Sequence, residues 1–390
     1  MLKQSTDPYI RNDRESELAA MAERLADRFA ERSAKHDREG SFPFDHFGDL
    51  KQAGYLKLTV PAELGGDEIS LYELVLLQDR LAYGDGSTAL AVGWHIGLVM
   101  HLNATGKWPR ALYEQLCKDI VSDGIVFNSF ASEPASGSPS RGGKPETTAV
   151  RTEGGWLITG RKTFSTASPI VDRFVVSAYV PEEERVSEFL VFKGKGVSIE
   201  ETWNTLGMRA TGSHDVVLDH VFVSSDARID AQIPEGREDA GGWLLHIPAC
   251  YIGIARAARD FALDFAGSYR PNSLSGSIAE LPTVQQSIGQ MEAELRIARN
   301  FLYSTADRYD RQTQHKEQMR PDLGLAKYAA TNAAIRVVDI AMRIVGGASL
   351  SKTLPLERYY RDVRAGLHNP PMENNIMQLL AVNALSERNI

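Results

Sequence analysis

Hydrophobic periodicity changes twice along this 390-residue chain, and that double switch limits the folds open to it. Before about Ile125, Glu15 to Arg32, Leu71 to Tyr83 and the largely apolar Leu90 to Leu102 carry helical composition or a helical period. From there to about residue 232 short apolar or alternating runs take over: Trp156 to Thr159, Phe174 to Val180, Phe189 to Phe192 and Val216 to Val223, separated by turn-rich pieces. After Gly241 a helical stripe returns through Ile247, Tyr251, Ile254, Ala258, Phe261 and Phe265. Val284, Ile288, Met291, Leu295, Ala298 and Leu302 mark a second helix, and Leu323 to Val345 a third. The pattern predicts an α+β chain, mainly α: a helical domain over 1–125, a central β domain over 126–232, and a C-terminal four-helix bundle over 233–390.

Composition narrows the partners. Hydrophobic residues at 43% and charged residues at 24% are the mixture of a globular protein, and the net charge of −8 offers no cationic face to nucleic acid. No run reaches the length of a membrane span, and Met1 to Asp7 lacks the apolar core of a secretory signal, so the expected location is the cytoplasm. Cys117 and Cys250 lie far apart in helical segments and read as reduced, half-buried thiols; the histidines lack ligand spacing, so no metal is expected.

The chain contains neither a Gly-x-Gly-x-x-Gly turn nor a Walker loop. A nucleotide cofactor therefore needs another cradle. The segment Ser129 to Ser138 is rich in small and hydroxyl residues, which let a backbone approach a flat ring or a pyrophosphate; by composition alone such a segment is equally a plain turn.

Ser132-Glu133-Pro134 with Gly137-Ser138 resembles the flavin loop of the acyl-CoA dehydrogenase family. Trp156-x-Ile158-x-Gly160-x-Lys162 with Phe164 and Thr166 is similar to its next flavin-lining strand. Leu206 to Ser213 with Val217-Leu218-Asp219, Met342 to Gly347, Pro355 to Asp362, Val60 to Gly66 and Gly86-Ser87-Thr88 resemble further family segments, in the family's order. The resemblance implies FAD held by Phe130, Ser132, Gly137, Ser138, Phe164 and Thr166, with Arg270, Arg343, Gly346 and Gly347 on the rest of the cofactor, the last three from a neighbouring subunit. Arg343 stands where the family keeps a Gln, and Pro271 to Gly276 replaces its usual aromatic-Gly turn. A homodimer or homotetramer is implied.

The family's reaction is α,β-dehydrogenation of an acyl-CoA or other acyl thioester, with electrons passed to an electron-transfer flavoprotein. It needs a carboxylate within hydrogen-bond reach of the α proton. Family members place that base about eight residues beyond the Arg-Asp pair or at the start of the first long bundle helix; here Arg361-Asp362 leads to Pro370, and the second place holds Trp243. Glu373 is the nearest carboxylate and a candidate base, or else a helix-entry residue placed for the helix dipole. His368 offers a different chemistry. Flavin monooxygenases sharing this fold carry a His in a similar His-x-Pro stretch, where it serves as proton donor in a reaction of reduced flavin with oxygen. His95 or His101 could be a second polar group of such a pocket, or core histidines. A flavin-binding protein that has lost dehydrogenase activity is the third expectation.

Overall fold

The computed structural model describes residues 7–136, 143–229, 233–234, 237 and 240–388. Five helices lead: α1 Asp13–Glu39, α2 Phe44–Gln52, α3 Leu71–Gly84, α4 Gly86–Thr105 and α5 Arg110–Asp123. Local chemistry sets their ends. The Asn12 side chain accepts the Glu15 N–H at 2.9 Å, and α1 stops at Gly40, whose φ of 66° is open to glycine. Ser70 and Glu73 form a capping box that opens α3. Asp85 accepts the N–H groups of Ser87 and Thr88, which accounts for the Gly86-Ser87-Thr88 motif. Gly86 has to be bare, because a Cβ there would lie 2.5 Å from Ile254 Cδ1.

The middle of the chain forms an eight-stranded sheet: β1 Phe127–Phe130, β2 Thr148–Thr152, β3 Gly155–Lys162, β4 Arg173–Val180, β5 Arg185–Phe192, β6 Val197–Glu200, β7 Asp215–Ser224 and β8 Arg228–Ile229. The order is β6-β7-β3-β2-β4-β5-β8, with β1 paired parallel to β4. β3 and β7 run antiparallel with a register shift between Ile158 and Gly160, and Gly160 passes so close to Thr147 that a Cβ would meet its Oγ1 at 2.3 Å.

The last third holds α6 His246–Ser268, α7 Pro282–Arg311, α8 Arg320–Val345, α9 Leu356–Val363 and α10 Glu373–Ser386. α6 is the central beam, packed against α3 and α4 of the first part and α8 of the last. Its stripe of Ile247, Tyr251, Ile254 and Ala258 is buried, as the spacing predicts. One charged knot crosses this junction. Asp79 of α3, fully buried, accepts from Arg256 of α6 at 2.9 Å, from Arg299 of α7 at 2.9 Å and from the Tyr303 hydroxyl at 2.8 Å.

A second junction ties the sheet part to α9. The Met208 N–H donates to Asp362 at 2.6 Å, Arg361 pairs with Asp37 of α1, and Gly207 lies on the α9 backbone. A Cβ on Gly207 would sit 2.3 Å from the Arg361 carbonyl oxygen, and backbone cannot step aside as a flexible side chain can. Gly207→Ala should therefore cost about 1–3 kcal/mol, read as a lowered denaturant midpoint; an unchanged midpoint would show that the clamp yields freely.

Candidate functional site

The Ser132-Glu133-Pro134 motif and the segment after β3 meet just beyond the ends of β1 and β3. The Thr163 N–H donates to the Ser132 carbonyl at 2.9 Å, which sets Ser132 beside Phe164. Thr166 presents its hydroxyl to Ser213 at 3.0 Å, Ser213 reaches Thr211 at 2.8 Å, and Asn128 holds the Thr166 carbonyl at 2.8 Å. Ser132, Phe164 and Thr166 are thus brought together.

What anchors this corner is a buried ion pair. Lys162 Nζ donates to Glu133 at 2.5 Å and to the Ser177 carbonyl at 2.7 Å, and Glu133 also accepts the N–H groups of Glu146 and Thr147. Both side chains are sealed from solvent. Burial alone would raise the Glu133 carboxyl, but the Lys162 ammonium and these N–H donors hold it below the usual carboxylate range. The Glu and Lys of the two motifs are struts: they tie the loop leaving β1 to β3 and leave the neighbouring surface for a ligand.

That surface is unusual for a protein exterior. Phe164 is 68% exposed and held at φ 52°, a strained backbone for an aromatic residue, with Trp203 edge-on at 5.7 Å and Leu206 exposed on the neighbouring loop. Apolar platform and hydroxyl donors side by side fit an isoalloxazine, whose faces are apolar and whose edge is polar. The Phe130 side chain is turned away, buried against Phe174 at 4.8 Å between ring centres, so only its backbone is available to the site. Gly137 and Ser138 lie outside the described residues.

The other residues expected on the cofactor stand apart. Arg270, just beyond α6, is exposed and donates to the Ser268 carbonyl at 3.4 Å; Arg343, Gly346 and Gly347 are exposed at the end of α8, and both glycines border open space. Among the described residues no hydrogen bond or ion pair joins them to the Ser132 corner.

The candidates for proton transfer also separate. His368 is exposed, its N–H donating to the Ala365 carbonyl, and the next residue, Asn369, accepts the Tyr251 hydroxyl at 2.5 Å. Glu373 begins α10, half-buried, and its charge acts on Lys327 of α8. His95 is a core histidine: Nδ1 accepts the Phe127 N–H at 3.0 Å and Nε2 donates to the Leu56 carbonyl at 2.9 Å, while burial keeps it neutral. His101 packs on Trp243 with ring centres 5.4 Å apart. Around Trp243, Trp94 and His246 complete an aromatic box; burial pushes His246 down to about 4, and Gly93 and Gly97 make room for its ring. The sequence reading missed His246, although the Gly93 and Gly97 pair in an otherwise bulky helix hinted at a large neighbour.

Comparisons with known proteins bear on the whole chain. Profiles of the acyl-CoA dehydrogenase N-terminal, middle and C-terminal domains match residues 12–108, 129–221 and 245–367. YdbM of Bacillus subtilis (strain 168), provisionally named an acyl-CoA dehydrogenase, is 46% identical over 378 residues, covering 96% of this chain and 98% of its own. L-evernosamine nitrososynthase of a Micromonospora species is 31% identical, covering 87% and 82%. The solved structure of KijD3 with FMN and a dTDP-linked amino keto sugar superimposes with a TM-score of 0.82 at 26% identity, covering 98% and 95%. These matches cover nearly the whole chain and show that it belongs to the acyl-CoA dehydrogenase family of flavoenzymes.

Proposed function

We propose that the chain is a flavin-dependent monooxygenase built on the acyl-CoA dehydrogenase fold, working with flavin reduced by a separate partner. The observation that carries this reading is the replacement of the base: by the resemblance, Pro370 and Trp243 stand at the family's two carboxylate positions, and Glu373 stands at the start of α10, its charge acting on Lys327. Likeness to a nitrososynthase at 31% identity and to FMN-bound KijD3 supports it.

Ser132, Phe164 and Thr166 would hold the ring, Phe164 by its face and the hydroxyls along the polar edge. Bound reduced flavin supplies two electrons to dioxygen, one oxygen atom entering the substrate and the other leaving as water. His368 would deliver a proton from an imidazole nitrogen to the departing oxygen, and Asn369, fixed by Tyr251, keeps its loop in place. The aromatic box of Trp94, Trp243 and His246 excludes water from the side where a dehydrogenase would carry its base.

Flavin-reduced protein mixed with air-saturated buffer should reoxidise after a lag at least tenfold longer than that of free flavin. In His368→Ala the lag should disappear with flavin content unchanged, whereas Glu373→Gln should retain it. The second reading is acyl thioester dehydrogenation with an electron-transfer flavoprotein as acceptor, favoured by the 46% identity to YdbM. Anaerobic bleaching of the oxidised flavin by an acyl-CoA, lost in Glu373→Gln, would establish that reading and defeat the first.

A further inference from the structure

The helical part holds a pocket of about 190 Å3, partly open to solvent, between the turn that leads into α6, the start of α8 and the start of α10. Leu244, Leu245, Leu323, Pro371 and Ile376 give it apolar walls, and Lys327 is set among them. Lys327 is only 2% exposed. Its backbone carbonyl accepts the Thr331 hydroxyl, but no hydrogen bond or ion pair joins its Nζ to another described residue. The Glu373 carboxylate acts on it from beyond ion-pair distance, and Arg320 lines the same cavity. Burial pushes the ammonium down to about 8 in spite of Glu373, as expected for a cation without a direct counterion.

A buried ammonium with no partner is costly, and an anion placed against it relieves that cost. The walls decide which anion. A phosphate would need several donors around it, and these walls are mostly aliphatic, with Arg320 and Asn375 as the polar residues besides Lys327; a carboxylate on an alkyl chain matches a cation set in such a mostly apolar pocket. The geometry points to this cavity as a binding site for a medium-length alkyl carboxylate, its chain against Leu244, Leu323 and Ile376 and its carboxylate on Lys327 Nζ. The site needs no turnover, so its test is separate from the oxygenase reading and from the dehydrogenase one.

Flavin-loaded, oxidised protein is titrated calorimetrically with octanoate and, in a parallel arm, with octanol. Octanoate should bind saturably at one site, at least tenfold more tightly than octanol. Lys327→Met should weaken octanoate at least tenfold and leave octanol unchanged, and Leu323→Trp should abolish both by filling the chamber while flavin content stays native. Glu373→Gln, which removes the nearby like charge, should tighten octanoate about threefold and serves as the informative variant if Lys327→Met fails to fold. Equal affinity for octanoate and octanol, no saturable heat, or octanoate binding undiminished in Lys327→Met would overturn the inference.

Discussion

Asp79→Ala should cost the protein about 3–5 kcal/mol, the scale for breaking a buried charge network by removing one partner. The reason is what would be left behind. Arg256, Arg299 and the Tyr303 hydroxyl would lose their shared acceptor, and Arg80, itself paired with Asp7, would lose a neighbouring negative charge. Burial alone would raise the Asp79 carboxyl, but those guanidiniums hold it well below the usual carboxylate range. A depressed folded pKa contributes stability that is present above the unfolded value of about 3.9 and lost as pH falls through the folded one. The gap between native protein and Asp79→Ala, measured by urea titration, should therefore be full at pH 7 and shrink below about pH 4. A gap independent of pH would mean that packing, not charge, sets the cost.

Lys162→Met should be comparably damaging, at about 3–5 kcal/mol, because it strands Glu133 as an unpaired buried anion. The effect should reach the cofactor as well. The pair ties the loop after β1 to β3, so its rupture frees Ser132 from its place beside Phe164, and flavin content after gel filtration should fall along with the melting temperature. Combining Glu133→Gln with Lys162→Met is the control. Gln removes the charge and keeps one oxygen, enough for one of the two N–H groups of Glu146 and Thr147, so the double variant should be more stable than Lys162→Met alone. Double-variant stability equal to or below that of the single variant would refute the ion-pair account.

The long elements were legible because they repeat a signal. α6 announces itself through six apolar positions, and α8 is found at Arg320–Val345 where Leu323 to Val345 is expected. β1, β6 and β8 are too short for a period to show: four residues, four and two. The nearness of Ser132, Phe164 and Thr166 was legible only through the resemblance of their two motifs to the family's, which implies that the segments meet. The roles of Glu133 and Lys162 were not readable, because nothing in either motif says that a strand pairing will bury the two charges against each other. Lys327 was equally hidden: an isolated lysine in a helix reads as a solvated surface residue until the packing of α10 covers it.

The contact of Gly207 with the α9 backbone, and of Met208 with Asp362, also bears on recombination between relatives. Residues 154 positions apart share one steric contract, so a chimaera that imports the central segment from a cousin inherits half of it. Such a hybrid should succeed when donor and recipient both carry the bare glycine and the aspartate, and otherwise fail at the seam, however well each segment folds.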